Sequence, residues 1–192
     1  MNCKLTTQEM TTHKGFQWEI GKKEVITTSG GELCSSDFFH YYNNPLLSVL
    51  LNPIHADIIN PRLFRVEVGG EILPDRGLKF GSKEMKLIEE LELPVITNVQ
   101  KIAFGILCTL EVYTEPDFII WANNWLDGID RSVESASYVS YVSYAVKADY
   151  AYAAAYAAYA TYAANAADYV RVVVDADIDL IAIANKAMTY KD

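Results

Sequence analysis

Two residue types disappear before the chain is finished. All 10 glycines and all 6 prolines lie at or before Gly128, so nothing beyond that point interrupts a helix through backbone freedom or a missing N–H donor. Cysteine is scarce, with 3 residues at unrelated spacings (Cys3, Cys34 and Cys108). An odd count without a pattern implies no disulfide framework and suits a reducing cytoplasm. No pair among Cys3, Cys34, His13, His40 and His55 has the short Cys–Cys or His–His spacing of a zinc site. Basic residues are outnumbered, 16 Lys and Arg against 25 Asp and Glu for a net charge of −9. That balance excludes binding to nucleic acid through its phosphates, which needs Lys/Arg patches. Long apolar runs are missing too, so no membrane span is expected, and the opening MNCKLTTQEM has no apolar signal core.

What replaces the breakers after Gly128 is alanine and tyrosine. Ala occupies 14 positions between Ala136 and Ala167, and Ala is the strongest helix former. The stretch 132–169 therefore reads as a long helix, with Asp130 as its cap. On a helical projection Tyr138, Tyr141, Tyr144, Tyr152, Tyr156, Tyr159, Tyr162 and Tyr169 share an arc of roughly 140°. Tyr150 falls outside it. One helix over this stretch would be about 57 Å long, whereas a compact body of 192 residues is about 40 Å across. Either the helix breaks near Lys147–Asp149, or it packs against a second copy. Buried rings with accessible hydroxyls suit a seam of this kind, and Tyr138, Tyr141, Tyr156 and Tyr159 are its candidate partner-binding residues.

The tail supports two periods. A two-residue period sets Asp175, Asp177 and Asp179 on one strand face, where they would mimic phosphates or hold a cation. A helical period aligns Val170, Val174, Ile178 and Ile181, and this is the preferred reading because no breaker precedes it.

The first part of the chain has ordinary punctuation. KGFQWEIGKKEVITT alternates around Gly21 and reads as a hairpin. Asn44-Pro45 opens a short helix, stopped at Asn52-Pro53. Leu63–Val68 alternates Phe64, Val66 and Val68 with Arg65 and Glu67, which makes a strand turned by Gly69-Gly70; Met85–Leu93 is read as its partner strand, although KEMKLIEELEL also fits a helix. Thr97 and Gln100 form a capping box for a helix carrying Val99, Ile102, Ala103, Ile106 and Leu110. Glu115-Pro116 starts another, with Phe118, Trp121, Ala122 and Trp125 on one face and Gly128 as its stop. The expected fold class is α+β: an antiparallel sheet with short helices over 1–128, followed by a mainly helical Ala/Tyr-rich segment over 129–192.

KGFQWEIG, ELCSSDFFHYYNNPLL, RLFRVEVGGEI and GSKEMKLIEELEL together resemble a domain family of unknown function carried by phage and prophage hypothetical proteins. The likeness covers roughly 14–93. In this chain His13 stands where the family has an aromatic residue, and Asp37-Phe38-Phe39-His40 replaces a tighter Gly-Phe-His. The resemblance implies an origin in a mobile element and brings no activity with it.

Three functions follow as expectations. The first is a phage-encoded acidic interaction module that inhibits a host defence protein, for example of CRISPR type, or a nucleic-acid-handling protein by occupying its basic surface. It needs no cofactor. The second is an ADP-ribosyltransferase-like enzyme in which His13 on a first strand, Ser35-Ser36 on a second and Glu67 or Glu71 near a third clamp a nicotinamide cofactor, with His13, Ser35 and Glu67 as its candidate residues. The third is a structural phage protein that forms homo-oligomers. The Gly30-Gly31 and Gly69-Gly70 pairs read as turns rather than phosphate cradles.

Overall fold

The computed structural model describes residues 1–111, 114–132 and 178–191. The chain divides into two compact units, Met1–Val95 and Ile96–Asp192. The sequence reading draws its boundary after Gly128, so the two helices it placed just before that boundary fall in the second unit.

The first unit is built on one antiparallel sheet. Its strands are β1 (Cys3–Thr6), β4 (Lys23–Val25), β5 (Phe39–Tyr41), β6 (Arg62–Asp75) and β7 (Lys79–Leu91), while β2 (Thr11–Thr12) and β3 (Phe16–Gln17) form a separate small pair. The order β1–β6–β7 continues with β4 and β5, which share the far edge of β7. Tyr42, the residue after β5, exchanges backbone hydrogen bonds with Cys3, 2.8 Å each way. The sheet thus returns to its first strand, which satisfies the edges that an open sheet leaves exposed there.

Closure buries both sides of β1. Lys4 is register partner to Phe64, and Leu5 to Leu63. One side holds an aromatic core of Trp18, Phe39, Tyr41, Phe64, Val66, Met85 and Leu87. Leucines from α1 (Pro45–Leu50) and its C-terminus fill a second layer: Leu47, Leu50 and Leu51 are all buried. The helix starts where the sequence places it. Pro45 is at its first turn, and Asn44 Oδ1 accepts from the N–H groups of Leu46 and Leu47 at 2.8 and 3.4 Å, which satisfies donors that would otherwise be orphaned. It ends at Leu50, and Pro53 lies in the four-residue α2 (Asn52–His55).

Two expectations are corrected here. KGFQWEIGKKEV does not fold back around Gly21. Phe16 and Gln17 pair with β2, Ile20 bridges Leu87, and Lys23–Val25 pair with β7. Alternation identifies a strand but not its partner, and β7 offers a longer edge than the segment offers itself. Nor does Gly69-Gly70 turn the chain. β6 runs on to Asp75 with a register shift between Gly69 and Ile72, and Gly70 takes a φ of 70° inside this bulge. The reversal lies at Arg76 and Gly77, with φ of 46° and 83° and a 2.7 Å hydrogen bond from Leu78 N–H to the Asp75 carbonyl. Two successive positive φ values are what a tight hairpin turn requires.

The second unit contains α3 (Asn98–Leu110), α4 (Pro116–Leu126) and α5 (Leu180–Ala187). The expected capping box is present: Thr97 Oγ1 accepts from Gln100 N–H, and Gln100 Oε1 accepts from Thr97 N–H. Gln100 Nε2 also donates to the Met188 carbonyl at 3.1 Å, tying α3 to the end of α5. α4 buries Phe118, Trp121, Ala122 and Trp125 as its spacing indicates, and Gly128 follows it with a φ of 74°. The Arg131 guanidinium lies 4.8 Å from the Trp125 ring centre and donates to the Trp125 and Lys191 carbonyls. α5 bears out a helical reading for its part of the tail. The proposed long Tyr/Ala helix lies outside the described residues.

Candidate functional site

The motifs quoted from the first unit converge on one place. Phe16 and Trp18, from KGFQW, lie 4.9 Å apart, and Phe39, from DFFHYY, lies 5.4 Å from Phe16 and 5.1 Å from Trp18. Trp18 is anchored by its indole N–H, which donates to Thr12 Oγ1 at 2.9 Å. Phe16 remains 37% exposed and forms the rim of the cluster.

Beneath these rings lies an amine. Lys4 is only 7% exposed; its Nζ is 5.0 Å from the centre of the Trp18 ring and donates to the His40 carbonyl at 2.7 Å. Among the described residues no carboxylate balances it. Burial pushes its pKa from 10.5 down to about 7, because removal from water disfavours the charged form. His40 next to it is also lowered, chiefly by burial; its ring hydrogen bond to the Leu33 carbonyl opposes the shift and the Lys4 charge adds to it. The thiol of Cys3 is pushed up to about 11 by burial, with a weaker opposing hydrogen bond from Ser48.

A second buried lysine organises the neighbouring loop. Lys83 is 6% exposed, and its Nζ donates to the carbonyls of Gly30 at 2.6 Å and Asp37 at 2.8 Å, 4.1 Å from the centre of the Phe38 ring. Ser35 completes that loop: its hydroxyl donates to the Glu32 carbonyl at 2.6 Å and accepts from Asp37 N–H at 3.0 Å. Nearby, the Tyr42 hydroxyl and His55 Nδ1 are 3.0 Å apart, with their rings stacked.

This arrangement corrects the strand placement expected for His13 and Ser35. His13 is exposed in a short 3-10 turn (His13–Gly15), not on a strand. Ser35 is in a turn whose bonds already occupy its hydroxyl. Glu67 is on β6, exposed and opposite Lys86. The required three-strand presentation is therefore absent for two of the three. Among the described residues no group of three His, Cys, Asp or Glu is placed to hold a metal ion, and Cys34 is exposed. Asp179, read as part of an acidic strand face, instead caps α5 and accepts from Ala182 N–H at 3.0 Å. Asp130, read as a helix cap, accepts from Ser132 N–H at 2.9 Å. Tyr138, Tyr141, Tyr156, Tyr159, Asp175 and Asp177 lie outside the described residues.

Sequence reasoning missed the lysine–aromatic pairs. No local signal marks Lys4, because alternation between Cys3 and Leu5 on a short strand places it on the opposite, wet face.

The first unit is thus a closed antiparallel-sheet domain with two buried lysines. Residues 1–98 match a family described as Domain of unknown function (DUF7666). The chain belongs to that family. No curated protein and no solved structure matches it.

Proposed function

We propose that this is a phage-encoded, non-catalytic interaction module whose acidic exterior occupies a basic surface on a host protein, of the kind that defence or nucleic-acid-handling proteins present. One observation carries the reading: the fold removes positive charge from the surface of the first unit. Residues 1–95 hold 13 carboxylates and 10 Lys or Arg, but Lys4 and Lys83 are buried. Lys22, Lys23, Arg62, Arg65 and Lys79 each pair with a carboxylate, which removes one charge of each sign and leaves the difference made by the buried lysines in place. Glu67 and Glu71, by contrast, are exposed and form no ion pair among the described residues. What solvent meets is more acidic than the composition states, and a field of that sign steers a basic partner into contact.

The test is recovery of a host partner by the immobilised full chain at low and moderate salt. Retention should fall as salt rises and should be competed by a polyanion. Recovery of no specific partner, or of one that neither salt nor polyanion releases, would count against the reading. A nicotinamide dinucleotide that raises the melting temperature at millimolar concentration would favour the enzyme instead, since a ligand that binds only the folded state stabilises it.

A further inference from the structure

β6 is paired on both sides only at its start. Arg62–Arg65 pair with β1, and Val66 N–H reaches the Asn2 carbonyl at 3.0 Å. From Glu67 onward, among the described residues, its only strand partner is β7. The opposite edge of that stretch carries backbone donors and acceptors with no neighbouring strand, the template on which an added strand forms.

The side chains along this stretch select what binds. Glu67 and Glu71 are exposed and unpaired among the described residues, and Ile72 is 45% exposed. A second copy of the chain would bring these carboxylates from both molecules onto one seam, where like charges repel. The bulge between Gly69 and Ile72 twists the strand, and Pro74 removes a donor near its end, so a long uniform strand finds no continuous edge. A short extended segment with Lys or Arg beside an apolar residue satisfies both carboxylates and covers Ile72.

We infer that the outer edge of β6 from Glu67 to Leu73 receives a short basic segment of the partner protein as an added strand. The inference rests on the acidic-surface reading and narrows it to one element and one mode of contact.

Three synthetic peptides test it on the full chain. One alternates Lys with Val and Thr. The second has the same sequence N-methylated at every second amide, which keeps its charge and removes donors along one edge. The third replaces Lys with Glu. The first should bind in fluorescence anisotropy and slow amide exchange across Glu67–Leu73; the second should bind at least tenfold more weakly, and the third not at all. A Glu67→Gln/Glu71→Gln variant, its folding checked by an unchanged urea midpoint, should weaken the first peptide about tenfold. Equal binding by the first two peptides overturns strand addition and leaves the acidic-surface reading standing. Protection that falls elsewhere, or no binding by either basic peptide, also overturns it, and the host-partner recovery then decides the broader reading separately.

Discussion

Lys4 should give the first unit an unusual pH dependence. Its amine has a pKa of about 7 in the fold, against an ordinary 10.5. Below about pH 7 both folded and unfolded chains hold the proton, and the fold bears the whole cost of an ammonium buried under Trp18. Above it the folded chain releases the proton while the unfolded chain keeps it. Stability then rises with pH, because the unfolded state binds more protons. For one group with this shift the gain between pH 7 and 8.5 is about 1.5 kcal/mol, or a urea midpoint higher by roughly 1 M. Two other groups bound the window. His40, lowered by burial, gives a rise of the same sign, but below its ordinary 6.5. Cys3, raised from 9.0 to about 11, ionises first in the unfolded chain and so lowers stability from about pH 9 upward.

The assay is urea denaturation with pulsed amide exchange on β6 and β7, which reads the first unit by itself, at several pH values between 7 and 8.5. Lys4→Met is the control: it keeps the apolar stem, loses the donor to the His40 carbonyl, and has nothing to titrate. The wild-type midpoint should climb while the variant's stays nearly flat, whatever its absolute stability. If both climb with the same slope, the amine is not the titrating group and the argument from its burial fails.

Two further substitutions probe each unit separately. Gly81 on β7 packs so closely against Leu33 and Phe38 that an added Cβ would lie 2.8 Å from Phe38 Cβ; Gly81→Ala should cost about 1–3 kcal/mol by overpacking, seen as a lower urea midpoint for the first unit alone. Thr97→Ala removes half of a formed capping box and should cost about 1 kcal/mol, with faster amide exchange in the first turn of α3 and no change in β6 or β7.

What the sequence showed and what it hid divide along a physical line. The start of α1, the capping box of α3, the Pro116 start of α4 and the β6–β7 pairing were all legible, because each depends on residues a few positions apart or on a repeated period. The corrected features depend on partners far along the chain. Alternation around Gly21 was real, but β7 competed for those strands and won. Gly69-Gly70 carried a turn signal, yet a Gly with positive φ serves a bulge as well as a turn. Arg76-Gly77, where the chain does reverse, follows Pro74 and Asp75, a turn signal that competes with the Gly69-Gly70 pair in the sequence. The candidate site was half legible. KGFQW and DFFHYY stood out as motifs, but only folding brings Phe16, Trp18 and Phe39 together.

The lysines show why charge read from a sequence misplaces an interaction surface. By pattern alone Lys4 belongs on the wet side of a two-faced strand, with Cys3 and Leu5 on the dry side. That inference assumes one face of the sheet meets water. Closure of β5 onto β1 through Tyr42 removes the wet side, and Lys4 turns inward to a carbonyl and a ring instead of outward to solvent. Lys83 meets a similar end against Gly30, Asp37 and Phe38. The hydrogen bonds of each amine join segments distant in sequence. Burial takes the Lys83 amine inside, and above about pH 7 Lys4 sheds its proton and leaves the folded chain more negative, while the carboxylates at Glu67 and Glu71 stay outside. A partner that reads the surface therefore meets a stronger acidic field than the excess of 13 carboxylates over 10 cations in residues 1–95 indicates, and its binding should weaken more steeply with salt than that difference alone would give.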